Sequence, residues 1–460
     1  MSGDLIGRSA GQALAWSETL SPQVAAKAKL CLADALRCMF EARALPTSRQ
    51  ALGVITPLTD GTPVAASDIA ATPAEAAFAM ATMSAGLLRE DMHAASISHH
   101  GIVVWPTLLA LSHGAGVSGA RLLAAGVVGY EFGARLGAAL FDADLARRWR
   151  PTAFCATAGA AMGGAYLLGL SERQAAAAVA LAVDASSGLN QWPHSGGDEI
   201  FFQAGRAAQN AVQAIALARA GAFASPPLLD GPAGLFAAAG KTAPADLVLF
   251  AGEPAILAVY NKALPICNFA QTAAQAALAI AARPGFSPDA VQGLTVAVTQ
   301  AALAYPGCDH AGPYERPLQA KMSIRFAVAA ALAHGDLKER RFHDLDDPAV
   351  ARLSGLCALE ADPALTAAFP ARQGARVQAR MAGGEILTQS LADVTPAAPE
   401  QIRQGLLTSA GEALDPRRAA ALLQVIDRLE GAPAAAALLA AARLIRPQSA
   451  ADPQPRRVFQ

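Results

Sequence analysis

Charge is scarce in this chain. Of its 460 residues only 16% are Asp, Glu, Lys or Arg, and 36 basic against 37 acidic side chains leave a net charge of −1. A nucleic-acid backbone or an anionic membrane surface is held by an excess of positive charge, so neither is expected as a partner. Aromatic residues are few as well, at 5%, and with Ala and Gly abundant the core is expected to be made of helices packed at close range. Long apolar runs are missing too. The mean hydropathy of +0.30 comes from alanine, and no stretch reaches the roughly 18 strongly apolar residues of a membrane-spanning helix. Even the longest uncharged stretch, PTAFCATAGAAMGGAYLLGLS, is diluted by Gly, Thr and Ala. Asp4, Arg8 and Glu18 interrupt the first residues where an export signal needs unbroken apolarity, so a cytoplasmic protein is expected. The six cysteines form no C-x-x-C pair and no Cys/His cluster of ligand spacing, which predicts free thiols in a reducing compartment and no metal site.

What is present is 53% hydrophobic residues over a length that suits two or three domains, which excludes disorder. From about Ala10 to Phe223, Ala/Leu/Val-rich segments with helical spacing alternate with Gly, Pro, Ser and Asp, so this part is expected to be all-helical. Helices are expected over Pro22 to Arg43, Pro73 to Arg89, Trp105 to Gly114, Gly119 to Phe141, Thr152 to Leu168, Glu172 to Leu189 and Gly205 to Ala220, with Ser171 capping the sixth. Between about 258 and 397 the texture changes. VQGLTVAVTQAALAY and GARVQARMAGGEILTQSLADV alternate apolar and polar residues as strands do, around a helical KMSIRFAVAAALAHGDL. The fold class is therefore mainly α: a large helical domain over 1–257 and 398–446, with a smaller α+β lid inserted over 258–397 and a loose Pro-rich tail over 447–460. GVVGYEFG lies within a helical pattern rather than after a strand, so it reads as close helix packing and not as a dinucleotide fingerprint.

Three polar clusters stand out. In LLREDMHAASISHHGIVVWP, residues Arg89, Glu90, Asp91, His93, His99 and His100 are gathered within twelve positions, and His93, His99 and His100 are three of the eight histidines in the chain. A carboxylate-supported imidazole for proton transfer, a metal site and a plain solvated loop all fit that pattern. Arg147, Arg148 and Arg150 precede a helix, where they would suit a carboxylate or simply face water. Gln203 and Arg206 open another helix, with ordinary capping as the alternative. Lys262, in NKALPICNF at the proposed domain seam, could be desolvated beside Cys267 and act as acid, base or anchor.

These motifs, in this order, resemble the MmgE/PrpD family, which includes 2-methylcitrate dehydratase, cis-aconitate decarboxylase and iminodisuccinate epimerase. HHGIVVWPTLLALSHGAGVSGARLLAAGVVGYEFGARLG resembles the family's HPG-containing loop and the helices after it. RPTAFCATAGAAMGGAYLLGLSERQAAAAVALA resembles its HPT-type segment, FFQAGRAAQNAVQAIALARAGAFASPPLLDGPAGLFAAAG its H-x-G-x-A-A segment, NKALPICNFAQTAAQAALAI its K-P-Y-P-x-C segment, and YERPLQAKMSIRFAVAAALAHGDL its AKFS stretch. The resemblance implies a homodimer with the active site in the cleft between helical domain and lid, no cofactor, and a small di- or tricarboxylic acid as substrate. It implies a lyase, dehydratase-like or decarboxylating, or an epimerase; a catalytically silent carboxylate-binding member is the alternative. His99, Lys262, His93 and Asp91 are then the expected catalytic residues, and Arg150, Gln203, Arg89 and Cys267 the expected substrate-binding ones. Several positions depart from the family pattern. Leu88 stands for an aspartate, Met92 for threonine, Arg150 for the HPT histidine, Ile200 for a lysine and Gln203 for a histidine, which points to a divergent member with its own substrate.

Overall fold

The computed structural model describes residues 4–445, so the tail expected over 447–460 lies outside the described residues. The fold is mainly α. Helices Pro22–Ala42, Pro73–Ala85, Gly119–Leu140, Pro151–Leu167, Glu172–Asp184 and Glu199–Arg219 form one packed mass, joined by Pro399–Leu414 and Pro416–Asp427 after the chain returns. Their starts follow local chemistry. Ser21 and Ser118 accept backbone N–H groups of the first turn, and Thr72 with Glu75 and Ser171 with Gln174 form reciprocal capping boxes.

Helix Gly101–Ser112 begins four residues before the expected start and runs through Pro106. Its first residue cannot be larger than glycine, because a Cβ on Gly101 would sit 2.6 Å from both the Asp91 Oδ2 and the Tyr130 hydroxyl. The last helical stretch, expected within 398–446, is divided at Pro416 and again after Asp427.

Eight strands accompany the helices: β1 (Thr62–Pro63), β2 (Ala70–Ala71), β3 (Asp91–His93), β4 (Val259–Asn261), β5 (Val291–Val298), β6 (Cys357–Ala361), β7 (Ala375–Met381) and β8 (Ile386–Leu391). The last four make one sheet in the order β6-β5-β7-β8, parallel between β5 and β6 and antiparallel elsewhere, with helices Gln271–Ala281 and Ile324–His334 packed beside it. The alternation read in the sequence marked β5, β7 and β8; β6 has only a short CALEA run and was not anticipated. The expectation of an all-helical first part is corrected by β1 to β3. Strand β3 pairs antiparallel with β4, with Asp91 opposite Asn261 and His93 opposite Val259. Three residues carry no readable periodicity, so only the partner strand reveals them.

Helices Gly119–Leu140 and Pro151–Leu167 come so close that their backbones touch. A Cβ on Gly159 would lie 2.3 Å from the Gly129 carbonyl oxygen, and one on Gly163 2.6 Å from that of Ala125. Gly129 and Gly133 of GVVGYEFG serve this contact, while Gly126 makes room for the Trp105 ring. Gly159→Ala is expected to cost about 1–3 kcal/mol through overpacking against backbone that cannot move aside. Gly53→Ala, in a helix position open to solvent, is expected to be neutral or to gain up to about 1 kcal/mol. Urea denaturation of the two variants checks the contrast.

Candidate active site

Strand β3 sorts the polar cluster by the two-residue period of a strand. Glu90 and Met92 turn toward a cavity between the helical mass and the inserted segment, whereas Asp91 and His93 turn away from it. Leu88, Ile97 and His99 from the same stretch complete one wall. Across the cavity, β4 delivers Lys262, followed by Cys267, Asn268 and Phe269, while Tyr305 and Met322 come from further along the inserted segment. Arg150, Thr152, Trp192 and Ile200 close the third side. The cavity leaves about 50 Å³ for the centres of water-sized molecules.

Glu90 is the centre of the charge arrangement. Its Oε1 lies 3.7 Å from Lys262 Nζ and 3.8 Å from His99 Nδ1, and its Oε2 is buried without a partner. Burial opposes ionisation of Glu90, yet Lys262, His99 and Arg150 hold its carboxyl below the usual range. Lys262 is almost wholly buried and donates to the Ile266 carbonyl at 3.3 Å. Arg150 ends the turn before helix Pro151–Leu167 and donates to the Ile200 carbonyl. Burial lowers its guanidinium to about 10, which leaves it charged at neutral pH.

His99 is held at two points. Its backbone N–H donates to Thr152 Oγ1 at 3.1 Å, and its Nδ1 lies 2.7 Å from the Asp91 carbonyl. A carbonyl only accepts, so Nδ1 carries the hydrogen and Nε2 keeps its lone pair. Burial first, then Lys262 and Arg150, depress the imidazole to about 4, against the opposing pull of Glu90 and the Asp91 carbonyl. His99 is thus a neutral base at pH 7. At 16% side-chain exposure against 4% for Glu90 and 1% for Lys262, it is the most accessible of the three.

Of the residues singled out in the sequence, His99, Lys262, Arg150 and Cys267 meet at this cavity. Four others do not. The Asp91 carboxylate accepts from the Gly101 N–H at 3.0 Å and from the buried Tyr130 hydroxyl, so its contribution to His99 comes from its backbone oxygen. Burial raises its carboxyl to about 6. His93 pairs with Ser96 Oγ at 2.8 Å, and Ser96 in turn reaches His100, all on the far side of β3. Arg89 is ion-paired with Glu41, and Gln203 donates to the Leu189 carbonyl at 3.1 Å. Glu90 was part of the cluster but not expected as a site residue; the strand period, once β3 is known, selects it. Trp192, Tyr305 and Met322 carry no signal in the sequence. Among the described residues no three His, Cys, Asp or Glu side chains are grouped as metal ligands.

Two residues of the wall have left-handed backbones, Leu88 at φ 56° and Ile97 at φ 51°. Such conformations cost a non-glycine residue roughly 1–3 kcal/mol and concentrate at functional sites. They lie two residues before Glu90 and two residues before His99, one at each turn that leads into a titratable residue of the wall.

The buried histidines also set a pH dependence of stability. His93 and His99 are each lowered to about 4 and His100 well below its ordinary value, all chiefly by burial. Between about pH 6.5 and 4 the unfolded chain therefore binds more protons than the folded one, and stability falls as pH falls through that window. Asp91, raised to about 6, acts oppositely but is one group against three. The urea midpoint at pH 5 is expected below that at pH 7; an unchanged or higher midpoint would contradict the neutral state assigned to these imidazoles.

The comparisons with known proteins agree with this architecture. Residues 15–247 match the MmgE/PrpD N-terminal domain and residues 264–404 the MmgE/PrpD C-terminal domain. Over 108 residues the chain is 35% identical to the cis-aconitate decarboxylase-like protein oryM of Aspergillus oryzae (strain ATCC 42149 / RIB 40), a match that spans 22% of this chain and 22% of that protein. With the two domain matches covering most of its length, the chain belongs to the MmgE/PrpD family.

Proposed function

We propose that the protein is a cofactor-independent lyase that removes a proton next to a carboxylate of a small organic acid. The observation that carries this reading is the state of His99: a neutral imidazole with Nδ1 locked to the Asp91 carbonyl, Nε2 free, and two cations in the same cavity. Arg150 and Lys262 would take the substrate carboxylate. As His99 Nε2 removes the α-proton, charge moves into that carboxylate as an enediolate, and the two cations stabilise it where it develops. The proton then held by His99, or one from Lys262, would leave with a β-hydroxyl as water. Glu90, between His99 and Lys262, keeps the imidazolium formed in this step from facing two cations alone.

The inserted segment 258–397 is the lid of this reading. Lys262 follows directly on β4, and the Asn261 carbonyl accepts from the Ala397 N–H at 2.9 Å, so the outgoing and returning chains are joined beside the cavity. Decarboxylation by the same groups is the second reading, favoured by the partial similarity to a protein named cis-aconitate decarboxylase-like. Product analysis by NMR separates alkene formation from loss of carbon dioxide.

In deuterated water the enzyme is expected to exchange the α-proton of its substrate. His99→Ala should lower kcat by about 10²–10⁴-fold, whereas Arg150→Lys, which keeps charge but loses the fork, should raise KM more than it lowers kcat. A His99 variant with near-normal kcat would sink the assignment of the base. Because the working base titrates at about 4, kcat/KM is expected to stay flat from pH 8 down to about 5.5; an acid limb centred near 6.5 would mean that an unperturbed imidazole does the work.

A further inference from the structure

The cavity between the helical mass and the inserted segment has a charge count and a wall chemistry that together describe its ligand. Its lining contains one carboxylate, Glu90, and two cations, Lys262 and Arg150, which leaves one positive charge over. The remaining walls are largely apolar, built from Leu88, Met92, Ile97, Trp192, Ile200 and Met322. Leu88 and Ile97 are held in left-handed backbone, so these two apolar side chains occupy their places against a local conformational cost. Besides His99 Nε2, a second acceptor belonging to a lining residue is left over: Glu90 Oε2, buried and without a hydrogen-bond partner.

We propose that this site is built for a hydroxy acid with a single carboxylate and an apolar substituent, its hydroxyl donating to Glu90 Oε2. The proposal rests on the proton-transfer reading for the orientation of the carboxylate, and departs from the di- or tricarboxylic substrate expected from the sequence. One carboxylate matches the one uncompensated cation. When His99 takes the α-proton, the imidazolium gains the charge that balances the second negative charge of the enediolate, so the closed site stays neutral throughout. A second carboxylate would lie buried against leucine, isoleucine and methionine with no cation to meet it, and an unpaired buried charge is strongly disfavoured. A hydroxyl satisfies Glu90, whereas an unsubstituted acid leaves its oxygen unpaired.

The test is titration calorimetry of the wild-type protein with 3-hydroxyhexanoate, hexanoate, 3-hydroxyadipate and citrate, alongside α-proton exchange of each in deuterated water. Binding is expected to be tightest for 3-hydroxyhexanoate. Hexanoate should be weaker through the unpaired Glu90, and 3-hydroxyadipate and citrate weaker by at least about tenfold through the unmatched carboxylates. Ile200→Lys, which adds a cation to the apolar wall, should shift the preference toward 3-hydroxyadipate. If that variant does not fold, the wild-type ranking decides alone. Tighter binding of citrate or 3-hydroxyadipate than of 3-hydroxyhexanoate by the wild type, or no binding of any of the four, overturns the proposal. Binding in the expected order with no exchange of any α-proton keeps the ligand class and overturns the proton-transfer reading instead.

Discussion

The pairing of β3 with β4 is the contact on which the site depends. It is three residues long, Asp91 to His93 against Val259 to Asn261, yet it brings together segments about 170 positions apart in the chain and sets Glu90 against Lys262. Both strands are anchored from behind. Asn261 donates to Asp34 at 2.7 Å and accepts from Lys27 at 2.9 Å, which ties β4 to helix Pro22–Ala42. Asp91 reaches Gly101 and Tyr130, which ties β3 to the two helices behind it. Residues that turn away from the cavity thus hold the frame, and their neighbours one position on line it.

The electrostatics follow from burial. In water a histidine between a carboxylate and two cations would be little perturbed, but here desolvation lowers His99 to about 4, so that it is neutral at pH 7. The same burial makes each charge in the cavity costly unless matched. Glu90 is matched by Lys262 and Arg150 with one cation to spare.

Alanine and glycine make that burial affordable in space. Where helices Gly119–Leu140 and Pro151–Leu167 touch backbone to backbone, few bulky side chains intervene, and the start of the second helix, with Arg150 and Thr152, is fixed relative to the first. Thr152 then fixes His99 through its backbone N–H. Close packing and the geometry of the cavity share one helix.

The sequence by itself determined the mainly α fold, the change of texture near residue 258, the strand segments β5, β7 and β8, and four residues that meet at the cavity, His99, Lys262, Arg150 and Cys267. Long periodic segments and capping residues are local signals, and the motif order carries family membership. Only the tertiary structure decided that Glu90 faces inward while Asp91 and His93 face outward, that Arg89 is consumed by Glu41 and Gln203 by a backbone carbonyl, and that Tyr305 and Met322 arrive from the inserted segment. The reason is physical. A three-residue strand is too short to show a period, its direction is set by a partner far away in the chain, and a one-residue change of register exchanges every inward side chain for an outward one.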